Sequence, residues 1–152
     1  MDGKGLGPRS VLFMCGQNVI RSPMAESLAR SRLGPDIFIA SAGVRAGERD
    51  PFVDAVLEEA GLPPRSPETR ALDDIEDAYF DLIVTLAPEA HHAALELTRT
   101  MAIDVEYWPT ADPSVVTGTR AQIMDAYREV LDRLRQRIEA RFAGRGADEA
   151  RE

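Results

Sequence analysis

The chain has 152 residues, within the usual size of one domain, and its 44% hydrophobic content is enough for a single packed core. A formal charge of −8 argues against nucleic-acid or anionic-membrane binding, because both depend on neutralising phosphates with Lys and Arg. Cys15 is the only cysteine, so neither an internal disulfide nor an all-cysteine metal site can form, and the chain reads as a protein of the reducing cytoplasm.

Residues 1–9 carry glycines but no apolar signal-peptide core and read as a flexible leader; no run approaches membrane-spanning length. Ser10 to Cys15 is a continuous apolar run, the pattern of a strand buried on both faces of a parallel sheet. The loop Cys15-Gly16-Gln17-Asn18-Val19-Ile20-Arg21-Ser22 follows. Ser22 and Pro23 then read as N-cap and first-turn proline of a helix that places Met24, Ala25, Leu28, Ala29 and Leu33 inward and stops at Gly34. Ile37 to Ala40, running into Ser41-Ala42-Gly43, is a second strand, and Asp50-Pro51 opens a helix burying Val53, Val56, Leu57 and Ala60 before Gly61. The proline-rich stretch Leu62 to Ala78 reads as an irregular connection with one helical turn around Leu72–Ile75. Asp81–Leu86 is a third strand, Pro88 to Arg99 a helix, and Val105–Trp108 a fourth strand stopped by Pro109. Thr119 and Gln122 form a capping box opening a long amphipathic helix with Ile123, Tyr127, Val130, Leu131, Leu134, Ile138 and Phe142 on one stripe. Residues 10–143 are thus expected to form one domain and residues 144–152 a flexible tail. Alternating strands and helices predict an α/β fold: an open parallel sheet of about four strands with helices on both faces, Rossmann-like and three-layered. Ligands in such sheets bind beyond the carboxyl ends of the strands, where the Cys15 loop leaves the first strand.

The loop carries the chemistry. Five residues separate Cys15 from Arg21, and a helix starts immediately after, so the backbone N–H groups of Gly16, Gln17, Asn18, Val19 and Ile20 can converge on one point above the positive helix end. Such a nest holds a tetrahedral anion. Arg21 adds a planar fork for two of its oxygens, and the same donors and positive charge favour a thiolate at Cys15, a nucleophile facing the anion. Ser22 can hydrogen-bond that sulfur, and Asn18 tolerates a left-handed turn and can brace the loop.

The run Val11 to Glu26, ending Arg21-Ser22-Pro23-Met24-Ala25-Glu26, resembles the signature of the low-molecular-weight protein tyrosine phosphatases and of the arsenate reductases that share their fold. Ser41-Ala42-Gly43 and Asp112-Pro113 match the same superfamily, and the resemblance extends from Val11 to about Phe142. It implies a phosphomonoester hydrolase in which Cys15 forms a phosphocysteine, Arg21 binds the phosphoryl oxygens, and Asn18 and Ser22 support the loop and thiolate. Asp112 would protonate the leaving group and then activate water, a task suited to a partly desolvated carboxyl group. The substrate would be a phosphorylated protein or a small phosphomonoester, or arsenate in the reductases; the resemblance implies no cofactor or metal.

Three departures narrow this expectation. Ile20 stands where many of these phosphatases have a second loop cysteine, Ser114 and Val115 replace two tyrosines after Asp-Pro, and the loop Val44 to Arg49 lacks the aromatic residue that packs on a phosphotyrosine ring. Arsenate reduction is the alternative; without relay cysteines it would need an external thiol. A third reading is an oxyanion-binding module without turnover, which would barely need Asp112. The adjacent His91 and His92 point about a hundred degrees apart on a helix and read as exposed, not as a metal pair. Asp73, Asp74, Glu76 and Asp77 read as a solvated acidic face, with divalent-metal binding the lesser alternative, Trp108 as wall or core beside the Asp112 loop or else a substrate contact, and the charges from Arg128 to Arg141 as the wet face of the last helix.

Overall fold

The computed structural model describes residues 7–75 and 79–143. The first six leader residues, Glu76 and Asp77 of the acidic cluster, Ala78 and the tail 144–152 lie outside the described residues. The apolar run at the start becomes β1 (Ser10–Cys15), buried at all six positions. It lies between β2 (Phe38–Gly43) and β3 (Leu82–Thr85), with β4 (Asp104–Tyr107) beyond, giving a parallel sheet of order β2-β1-β3-β4. Four parallel strands and both covering layers match the expected architecture.

Each face of β1 has its own cover. Val11, Phe13 and Cys15 point into the larger core with α1 (Arg21–Leu33), α2 (Pro51–Glu59) and α4 (Arg120–Arg141), whereas Leu12 and Met14 meet α3 (Pro88–Leu97) in a smaller one. Burial on both sides is why the strand reads as continuous rather than alternating. The α4 stripe buries Met124, Tyr127, Val130, Leu131, Leu134 and Ile138, while Ile123 is half-buried. Each such aliphatic side chain withdrawn from water contributes about 1.5–3 kcal/mol. The capping box forms, with Thr119 Oγ1 accepting from Gln122 N–H and Gln122 Oε1 accepting from Thr119 N–H. Asp50 Oδ1 caps α2 by accepting from Phe52 N–H at 2.8 Å. The turn Leu72–Ile75 is a 3-10 helix, as expected.

Three local expectations change. Ala60, expected to face inward, is exposed at the C-cap of α2. The first helix begins at Arg21 and has no side-chain cap, because the Ser22 hydroxyl is engaged by the loop instead. Trp108 lies just past β4, although its N–H still donates to Thr85 O at 2.8 Å and its ring packs in the core against Phe13. Among the described residues no helix is long and apolar enough to cross a membrane.

The topology fixes the place of the loop. From β1 the chain crosses to β2 on one side, and β3 then joins β1 on the other, so the strand order reverses next to Cys15 at the carboxyl end of β1. A crevice opens there in folds of this kind.

Candidate active site

The Cys15 loop is held from outside by its carbonyl groups. Cys15 O accepts from Val44 N–H, Gly16 O from Arg45 N–H and Gln17 O from Gly47 N–H, at 3.0–3.2 Å. Asn18 O and Val19 O accept from the Arg65 guanidinium at 3.0 and 2.8 Å, and Ile20 O accepts from Met24 N–H. Every carbonyl from Cys15 to Ile20 is therefore engaged. Among the described residues, the backbone N–H groups of Gly16 to Ile20 make no hydrogen bond to protein. A loop whose carbonyls are all occupied and whose N–H groups are not leaves five donors available, as the expected nest requires.

Side chains fix the base of the loop. Asn18 is the one non-glycine with positive φ among the described residues, at 57°. It is buried, and its Nδ2 donates to Ser22 Oγ at 3.0 Å and Ser41 Oγ at 2.9 Å, while Oδ1 accepts from Arg70 N–H at 2.8 Å. Ser41 Oγ donates in turn to buried Glu26 Oε1, and Glu26 Oε2 pairs with Arg30. Asn18 donates to the Ser22 oxygen, and the Ser22 hydroxyl lies 3.0 Å from Cys15 Sγ and 3.5 Å from Ala42 O, so its proton can be given to the sulfur in place of the longer contact to Ala42 O. The thiol and these supports are almost fully buried.

Cys15, Arg21 and Asp112 line one cleft of about 600 Å³, together with Gly16, Gln17, Val19, Ile20, Arg45, Asp50, Glu89 and Ser114. Among the described residues no aromatic side chain lines it. Arg21 reaches across the mouth, its Nη1 donating to Thr110 O at 2.9 Å, which ties the loop to the segment bearing Asp112. Asp112 Oδ1 accepts from Ser114 N–H and Ser114 Oγ at 2.9 and 2.7 Å, so Oδ2 is the oxygen without a protein partner among the described residues. Across the cleft Arg45 pairs with Glu89, whose hydrogen bond and charge raise the Arg45 pKa. Asp50 accepts from Tyr127 O–H at 2.6 Å; burial first, then Asp50, raises the Tyr127 pKa.

Other expectations resolve differently. Trp108 is core and does not line the cleft; Arg137 lies over its outer face at 5.2 Å. His92 is exposed, but His91 is half-buried, stacked on Tyr107 with Nδ1 3.0 Å from Thr85 Oγ1. The wet face of α4 is less idle than its charges suggested, since Arg128 pairs with Glu59 and Arg141 with Glu106. The sequence reading missed Arg65, Ser41 and Glu26 as supports of the loop. Glu26 had a signal, a carboxylate set among the inward residues Ala25, Leu28 and Ala29. Arg65 had none, because its partners lie more than forty residues away in the chain.

Comparisons with known proteins bear on the family and the fold. An arsenate reductase of Bacillus licheniformis is 29% identical over 142 residues, spanning 93% of this chain and 99% of the relative. A crystal structure of an arsenate reductase from Archaeoglobus fulgidus shares 29% identity and a TM-score of 0.65 over 86% of this chain and 96% of that one. The tyrosine phosphatase amsI of Erwinia amylovora has the same fold, with a TM-score of 0.71 and 24% identity over 90% and 92% of the two chains. The family described as low molecular weight phosphotyrosine protein phosphatase matches residues 10–148, and the chain belongs to that family.

Proposed function

We propose that the protein hydrolyses phosphate monoesters through a phosphocysteine on Cys15. The observation that supports this best is the presence, lining one cleft, of a sulfur hydrogen-bonded to Ser22 in a loop with free N–H groups and of a carboxylate with one oxygen unpartnered among the described residues, Asp112 Oδ2.

In this reading the phosphoryl group enters the nest, its oxygens taken by the N–H groups of Gly16 to Ile20 and by the Arg21 guanidinium. Cys15 attacks as thiolate; the S–P bond forms as the ester P–O bond breaks. Asp112 Oδ2 gives its proton to the departing oxygen. Water then attacks phosphorus and passes a proton to the same carboxylate, and the S–P bond breaks to release inorganic phosphate and the thiolate, which the Ser22 hydroxyl stabilises. Donors already fixed by their neighbours need no rearrangement as charge develops on the equatorial oxygens. Because the cleft walls carry charged groups and, among the described residues, no aromatic ring, the leaving group should be polar as readily as aromatic: a phosphorylated protein side chain or a small phosphomonoester.

The test is phosphate release from an aryl phosphate and a phosphotyrosyl peptide between pH 5 and 8, for the natural protein and Cys15→Ser. Turnover confined to the natural protein supports the reading. No release above the mutant overturns it.

The arsenate reductase relatives favour a second reading, in which the nest takes arsenate and Cys15 bonds to arsenic. With one cysteine in the chain, the two electrons that convert arsenate to arsenite would come from an external low-molecular-weight thiol, recovered as disulfide. Arsenite formation that requires both that thiol and Cys15, without phosphate release, would select this alternative. Retained phosphate binding with neither activity would select a binding module.

A further inference from the structure

Arg65 sits behind the Cys15 loop, in the irregular segment after α2, with 4% of its surface exposed. All three of its hydrogen bonds end on carbonyl oxygens: Val19 O at 2.8 Å, Asn18 O at 3.0 Å and Ser66 O at 3.2 Å. Among the described residues no carboxylate comes within ion-pair distance of it. A buried guanidinium without a counter-ion is costly, and a chain that only needed two carbonyls satisfied could use neutral donors. Burial lowers the Arg65 pKa, as does Arg49, while Asp54, Glu26 and Cys15 act in the opposite direction. Arginine nevertheless remains protonated in proteins.

Peptide geometry shows where that charge acts. No cis peptide occurs among the described residues, and in a trans peptide the C=O and the following N–H point in opposite directions within one plane. Asn18 C=O is paired in this way with Val19 N–H, and Val19 C=O with Ile20 N–H. By holding these two carbonyls, Arg65 turns the N–H groups of Val19 and Ile20 away from itself, and Val19 and Ile20 both line the cleft. A hydrogen bond accepted at the carbonyl also polarises the peptide and strengthens the donor at its other end.

We propose that Arg65 is a positioning residue for the anion nest: it aims two N–H donors at the bound oxyanion and transmits its uncompensated positive charge to that anion through the Asn18–Val19 and Val19–Ile20 peptides. Arg65 does not line the cleft, so it acts on substrate only through the loop, whereas Arg21 faces the cleft directly. The buried charge is balanced when a doubly charged anion occupies the nest, which couples anion binding to order in the loop. This rests on reading the loop as the phosphate site.

The test measures inorganic phosphate affinity by calorimetry at pH 7 for the natural protein, Arg65→Lys and Arg65→Met, with melting temperature and the KM and kcat for an aryl phosphate alongside. Arg65→Lys keeps the charge but cannot hold both carbonyls, and should lose about threefold in phosphate affinity; Arg65→Met removes both and should lose about thirtyfold. KM should rise in the same order. If Arg65→Met is too unstable to titrate, the Arg65→Lys loss at unchanged near-ultraviolet dichroism is the deciding value. Variants that melt earlier yet bind phosphate within twofold of the natural protein would make Arg65 a brace and overturn the proposal. A drop in phosphate affinity in a protein that releases no phosphate from esters would uphold the role of Arg65 while the phosphatase reading falls. A natural protein that binds no phosphate would overturn both.

Discussion

The two sides of the cleft are built differently. The nest side is buried and closed: each carbonyl from Cys15 to Ile20 has a partner, and Asn18, Ser22, Ser41 and Glu26 form a chain of side-chain hydrogen bonds with almost no contact with water. The opposite side, where a leaving group would lie, consists of Arg45, Glu48, Glu89, Asp112 and Ser114, exposed or half-exposed and joined mainly by pairs in contact with solvent. A low-dielectric interior enforces complete pairing, so few substitutions can be tolerated on the first side. Exposed ion pairs contribute little, which leaves the second side free to change with substrate. The departures from the phosphatase pattern at Val44–Arg49 and Ser114-Val115 fall on this second side; of the three, only Ile20 lies in the loop itself.

Glycine substitution breaks the comparison most sharply. A Cβ on Gly43 would lie 2.4 Å from Arg45 O and 2.6 Å from Asn18 N and Gln17 C, all backbone atoms of the two loops that make the site. Gly43→Ala should cost about 3 kcal/mol in stability, since neither loop can yield without breaking the hydrogen bonds between them. Chemical denaturation measures that loss, and phosphate binding should be lost with it. A cost under about 1 kcal/mol would show that the nest is looser than its hydrogen bonds imply.

The next effect separates chemistry from architecture. Asp112→Asn keeps the oxygen that accepts from Ser114, so stability should stay within about 0.5 kcal/mol. Turnover of an alkyl phosphate should fall by about 10²–10³, because the poor leaving group departs without its proton. For a p-nitrophenyl ester the loss should be smaller. Equal losses for both esters would remove Asp112 from the acid role.

What could be read from the sequence follows the same division. The strand, the Cys-x5-Arg loop, the capping box at Thr119 and the Asp50-Pro51 helix start are local patterns, each encoded within a few neighbouring residues, and all of them form. Ser22 misled because a serine at a helix start satisfies the capping rule and the loop equally well; burial beside Cys15 decided for the loop. The sheet order, the clamp from Arg65 and the burial of Glu26 depend on residues far apart in the chain meeting at one point. Their sequence neighbourhoods, a proline-rich connection and an ordinary helix, carry no periodicity that would reveal it. His91 was misread for the same reason: its partner Tyr107 belongs to a strand that only the fold brings beside it.

Tyr127 reaches the cleft from α4 through Asp50, which both caps α2 and lines the cleft. Tyr127→Phe should cost about 1 kcal/mol at pH 7, the net value of one hydrogen bond. The folded protein raises the Tyr127 pKa, so the neutral phenol is favoured by folding. The contribution is therefore fully present below the unfolded value near 10 and is lost as pH rises from there through the folded value. Denaturation curves should show a constant difference between natural protein and Tyr127→Phe from pH 7 to 9 and a shrinking one above about pH 10. A difference that grows with pH would mean that the phenol is not the donor to Asp50.

The smallest effect is expected at Gly16 and its neighbour Glu89, and it sharpens the contrast because Gly16 is itself a loop residue. A Cβ on Gly16 would meet Glu89 Oε1 at 2.4 Å, as close an approach as at Gly43, but the atom met is the end of a flexible, half-exposed side chain paired with Arg45. Glu89 can swing outward at the cost of an exposed ion pair, which is worth little. Gly16→Ala should therefore fold and melt like the natural protein, and so should Arg45→Ala, which breaks the same pair from the other end. Both should leave kcat unchanged and move KM by less than about threefold, since Gly16→Ala only displaces the Glu89 carboxylate and Arg45→Ala only removes a cation from the wall, and neither alters the nest. A fall in kcat for Gly16→Ala alone would mean that the added methyl displaces the loop rather than Glu89, and that the nest reaches further toward the solvent side than its buried half implies.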